Sequence, residues 1–100
     1  MMYRVELLPE AHEDLGELAY TIAYTYGMPK TSEKYVRELR AVIESLQQNP
    51  ERYAVRNCYS LLQYGYNVRR VNYKKMAIIY TIDSLVVSIH RVIPSSLITD

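Results

Sequence analysis

Residues 68 to 75 read VRRVNYKK, four cations in eight positions with a tyrosine among them, and His90 follows inside the apolar run VVSIHRVI (86 to 93). Such groups can form a surface that meets a polyanion, and RNA cleavage is one chemistry they could serve. Cleavage of RNA by its own 2′-hydroxyl needs a base for that proton, cations for the charge growing on the phosphorane, and an acid for the departing 5′-oxygen. Arg69, Arg70, Lys74 and Lys75 can supply the cations, with guanidinium the better fit because it engages two phosphate oxygens at once. His90 can act as acid or base. Tyr73 can stack on a base or donate a proton. The catalytic candidates are therefore Arg69, Arg70, Tyr73 and His90, with Arg56, Lys74 and Lys75 as RNA-binding cations.

Each candidate also has a structural reading. The basic run can be a solvated strand and turn whose lysines discourage edge pairing, and His90 can be a half-buried strand residue. His12 is expected to face solvent on a helix, and Cys58 has no catalytic neighbour in sequence.

The charge around the basic run is polarised. Residues 1 to 51 hold nine acids against five bases, whereas Arg52 to Ile82 hold six bases and no acid. The formal net charge of +1 thus hides a dipole along the chain, and an anionic partner belongs at its basic half. A hundred residues, 49% of them hydrophobic and 23% charged, suit a single globular domain spanning 1–100. One cysteine excludes an internal disulfide and a cysteine-based zinc site, which fits a reducing cytoplasm. No stretch approaches the 20 or so apolar residues that span a bilayer, and the start MMYRVELLPE lacks the pattern of a signal peptide, so no membrane association is expected. All eleven aromatic residues are tyrosines, most of them expected to pack in or near the core.

The elements that must position these groups can be read from periodicity. YRVELL (3 to 8) alternates as a short strand. From Pro9 to Tyr26, Ala11, Leu15, Leu18, Ile22 and Tyr26 recur at helical spacing, with Pro9 in the first turn and Gly27 as terminator. Val36, Leu39, Ile43 and Leu46 mark a second helix, with Thr31 or Ser32 as cap and Asn49 before Pro50 as its end. The short link makes the pair an antiparallel hairpin. Four strands then follow in the spacing: YSLLQY (59 to 64), YNVRRVNY (66 to 73), MAIIYTI (76 to 82) and VVSIHRVI (86 to 93), joined tightly enough for an antiparallel meander of three to four strands. The fold class is α+β, with the helical hairpin on one face of the sheet and the other face open. Met76, Ile78, Tyr80 and Ile82, with Val87, Ile89 and Ile93, have the parity of the helix-covered side, and His90 falls opposite with Ser88. Arg69 and Arg70 project to opposite faces unless a bulge intervenes. The cations are expected on the open face.

The order and wording of these pieces, YRVELLPEAHEDLGELAYTIAYTYG, VIESLQQNPERY, and VRRVNYKKMAIIYTID followed by VVSIHRVI, resemble the RelE/ParE toxin superfamily of bacterial and archaeal type II toxin–antitoxin systems across nearly the whole chain. The resemblance implies a small cytoplasmic toxin held inactive by an acidic antitoxin encoded beside it, with no cofactor or metal. It also implies a choice of target. RelE-like members are ribosome-dependent, metal-independent mRNA endonucleases (mRNA interferases) that block translation. ParE-like members bind DNA gyrase and carry no nuclease site. Arg91 matches the family's I-x-R-V/I pattern and is expected to pair with Glu13, Asp14 or Glu17. Many nuclease members continue past the last strand with a basic residue and then a histidine or tyrosine, but this chain continues PSSLITD. A RelE-like nuclease is the first expectation, with a gyrase-binding toxin and a noncatalytic antitoxin-binding homologue as alternatives.

Overall fold

The computed structural model describes residues 2–99. Strand β1 (Arg4–Leu7) leads directly into helix α1 (Pro9–Tyr20), and α2 (Pro29–Ser45) returns antiparallel to it. Strands β2 (Arg69–Tyr73), β3 (Met76–Asp83) and β4 (Val86–Pro94) follow as a meander. The sheet runs β1-β4-β3-β2, with β1 parallel to β4 and the other neighbours antiparallel. The α+β architecture is the one the sequence implies. No helix among the described residues is long and apolar enough to cross a membrane.

Pro9 opens α1, where its missing N–H leaves no bond unmade and its fixed φ suits the first turn. The helix widens into a π turn over Thr21–Thr25, with the Tyr26 N–H donating to Thr21 O at 3.0 Å. Gly27 then stops the chain at φ +67°, and the Met28 N–H reaches back six residues to Ile22 O, one residue further than in an ordinary left-handed helix terminus because of the π turn. The extra residue per turn rotates the apolar stripe off its bearing. Ala11 and Leu15 are buried, whereas Tyr26, read as the stripe's last member, is 69% exposed. The second helix begins earlier than its expected cap, at Pro29. Ser32 lies within its first turns, buried, and donates through Oγ to Ala19 O at 2.7 Å, tying the two helices together.

Both helices pack on the face formed by Met76, Ile78, Tyr80, Val87 and Ile89, joined by Leu39, Ile43 and Leu46 from α2. Burying these side chains supplies the main stabilisation, roughly 1.5–3 kcal/mol for each large apolar group. Tyr80 is fully buried and donates to Pro50 O at 2.6 Å, so its hydroxyl is satisfied. Its burial pushes the phenol up to about 12.

Three expectations are corrected here. Residues 59 to 64 are a 3₁₀ helix (Tyr59–Tyr64), not a strand. Cys58, Leu61 and Tyr64 recur every third residue, the 3₁₀ period, and these are the residues that pack inward while Leu62 stays exposed. The reverse face of the sheet is consequently not open: Leu61, Val68, Ala77 and Ile79 form a second buried cluster there, flanked by Tyr64 and Ile98. Lastly, a bulge interrupts β3–β4 pairing. Ile79 opposes Arg91 and Tyr80 opposes Ile89, which leaves His90 without a cross-strand partner. The inserted residue flips the parity beyond it, so Val92 rather than Ile93 joins the helix-side core.

Candidate functional site

Strand register decides where each candidate cation and acid lies. Arg69 pairs with Tyr80 and shares the parity of Val71 and Tyr73, which places it on the helix side. There its Nη1 donates to Glu51 O at 3.0 Å and to Tyr53 O at 2.5 Å, closing the turn after α2. Its charge is spent on backbone carbonyls. Arg70, one residue on, is half-buried on the reverse side, and its Nε donates to Asn72 Oδ1 at 3.2 Å.

Tyr73 ends β2 on the helix side, packed edge-on against Tyr35 with ring centroids 5.4 Å apart. Its hydroxyl donates to Glu38 Oε2. That bond pushes the phenol up to about 12, while the same contact lowers Glu38, holding it as the carboxylate. A phenol so held is a poor proton donor near neutrality. Lys74 lies with Nζ 5.3 and 5.4 Å from the Tyr35 and Tyr73 ring centres.

His90 sits on the reverse side at the bulge, its Nε2 2.8 Å from Thr81 Oγ1 and its ring 5.5 Å from that of Tyr64. Burial lowers its pKa, with Glu10 acting weakly against that shift. The imidazole is therefore neutral at pH 7 and engaged with a hydroxyl. Arg56 is exposed, and its backbone N–H bonds Val68 O beside the start of β2.

The catalytic candidates do not converge. Arg69 and Tyr73 lie on one face, Arg70 and His90 on the other. Between Arg70 on β2 and His90 on β4 stands β3 with fully buried Ile79, a gap of about 10 Å of sheet. Lys74 and Lys75 stand at the hairpin beside Pro94, some four residues of β4 from His90 and so about 13 Å along it. The cations are thus shared among both faces and one turn, which corrects their expected collection on an open face. The structure does bring together Arg70, Lys74 and Lys75, which line one depression with Asn72, Ser95 and Ser96. Sequence reading missed the last three. The signal available was a two-residue hairpin loop spelled Lys74-Lys75 where Asn-Gly is favoured, with Lys74 at φ +54°.

Arg91 takes a different role. Its Nε and Nη2 donate to the two oxygens of Asp14 at 2.7 and 2.9 Å, a bidentate pair that joins β4 to α1 and raises the guanidinium pKa.

The family model described as the ParE toxin of type II toxin-antitoxin systems, parDE, matches residues 5–97. This chain belongs to the ParE toxin family. A solved chain from a chromosomal ParDE toxin–antitoxin system of P. aeruginosa is similar in fold, with a TM-score of 0.72 at 18% identity, covering 93% of this chain and 96% of that one. No curated protein matches the sequence. For this ParE-family chain no group of three or more His, Cys, Asp or Glu capable of holding a metal occurs among the described residues.

Proposed function

We propose that this chain is the toxin of a type II toxin–antitoxin pair and that it acts by binding DNA gyrase, without cutting RNA. The observation that carries this reading is the dispersal of the nuclease candidates. Arg69 serves as a backbone clamp, Tyr73 is tied to Glu38, and His90 is held against Thr81 behind a buried sheet residue. General acid–base catalysis needs its groups within hydrogen-bond reach of one reacting phosphate, and these are separated by sheet thickness and strand length. The match to the ParE family points the same way.

The neutralising partner fits an antitoxin segment of acidic and apolar character. It would meet the free outer edge of β1 and the outer surface of α2, where Val36 and Ala41 lie among Arg37 and Arg40, with Glu33 and Glu44 on the same surface.

The deciding experiment adds the purified chain to gyrase supercoiling relaxed plasmid and, separately, to a translating extract. Loss of supercoiling with intact messenger is expected. Messenger cut within codons, abolished by Arg70→Ala, with gyrase unaffected, would overturn the reading in favour of a RelE-like mRNA endonuclease.

A further inference from the structure

The depression at the β2–β3 turn has no role in the proposal above. It is about 450 Å³ in volume, and its lining carries three cations, Arg70, Lys74 and Lys75, with no acid. Asn72, Ser95 and Ser96 complete its polar wall. Its two sides are fixed to each other, because the Ser95 N–H donates to Lys75 O at 2.8 Å where Met76 pairs with Pro94. Two further observations mark it as unfinished. Ser95 Oγ is buried and has no hydrogen-bond partner among the described residues, a condition that is unfavourable unless a ligand or water relieves it. Lys74 occupies a left-handed conformation in which a β-carbon is unfavourable, so the turn keeps a lysine where Gly or Asn would be easier.

We infer that this notch binds a phosphodiester group of a nucleic-acid strand and does not cleave it. The Lys74 ammonium lies over the Tyr35 and Tyr73 rings on the other face, so Arg70 and Lys75 are the cations that can meet a ligand in the notch, and a strand offers an anionic oxygen to the lysine and two to the planar guanidinium. The exposed Lys75 and shallow opening suit a continuous backbone passing across the turn. Cleavage is absent because no imidazole or carboxylate lines the notch, and Tyr73, the nearest phenol, is turned to Glu38 on the other face. This inference is independent of gyrase as the target.

The test is fluorescence anisotropy with a short labelled single-stranded DNA oligonucleotide, which lacks the 2′-hydroxyl and cannot be self-cleaved. The full chain is expected to bind it. Lys75→Gln, in an exposed turn position, should lower the slope of log affinity against log salt by about one, whereas Lys74→Gln should change it little. Arg70→Ala should weaken binding about tenfold. Ser95→Ala should weaken binding while leaving the thermal midpoint unchanged or higher, since it deletes an orphan hydroxyl. Inorganic phosphate should compete and perturb the Ser95 and Ser96 amides in NMR spectra. Absence of binding by the wild-type chain would overturn the inference. So would unchanged affinity in the folded Lys75→Gln variant, or equal competition by polyglutamate or a phosphopeptide.

Discussion

The Asp14 carboxylate stands where a neighbouring strand's carbonyl would stand beside β4: Oδ2 accepts from Arg91 Nε at 2.7 Å and from the Val92 backbone N–H at 2.9 Å, while Oδ1 accepts from Arg91 Nη2 at 2.9 Å. Strand β1 pairs with β4 only as far as Leu7 opposite Ile89. Beyond that point the edge of β4 would carry an unpaired donor under α1, and Asp14 supplies the acceptor.

Asp14→Ala should therefore destabilise the fold by about 2–4 kcal/mol, because it strips a partner from both a guanidinium and a buried-edge N–H. In a domain of this size that lowers the thermal midpoint by about 10 °C or more. Arg91→Ala should cost less, since its side chain is 35% exposed and Asp14 keeps the Val92 bond. Calorimetric melts of both variants check the order; a more damaging Arg91→Ala would contradict it.

The covered reverse face predicts a contrast between adjacent leucines. Leu61 is 1% exposed against Ala77 and Ile79, whereas Leu62 is 57% exposed. Leu61→Ala should cost about 2–4 kcal/mol and Leu62→Ala less than about 0.5 kcal/mol, measured by urea unfolding.

Eleven tyrosines and no tryptophan make phenolate absorbance a direct probe of the Tyr73–Glu38 bond. Tyr73 and Tyr80 should ionise near pH 12, Tyr3 is also raised by its bond to Glu51, and Tyr73→Phe should remove one of the two steps near pH 12. The sign follows from linkage. A folded pKa raised above the ordinary value near 10 stabilises fully below pH 10 and loses that contribution as pH rises toward 12. Alkaline unfolding should accordingly be shallower in Tyr73→Phe.

His90 acts in the opposite direction. Its pKa is lowered by burial, so the unfolded chain binds the proton more readily and stability falls as pH drops below about 6.5. His90→Gln should flatten that acid limb. Melting temperatures between pH 7.5 and 5 for the two proteins decide the matter, and parallel profiles would exclude the histidine as the cause.

The sequence by itself determined the two helices, the three C-terminal strands, the helix-side core of Met76, Ile78 and Tyr80, and the kinship, because helical periods sustained over both helices and apolar runs joined by short turns leave few alternatives. It also pointed from Arg91 toward an α1 carboxylate. Tertiary structure alone decided the rest. Six residues, YSLLQY, are too few to separate a two-residue period from a three-residue one, and only the apolar back of the sheet selects the latter. A single inserted residue at His90 changes which side chains face the helices, and nothing in a local pattern announces a bulge. Proximity across strands is a property of register, so the separation of Arg70 from His90, and the meeting of Arg70 with Ser95, arise only when the sheet is assembled.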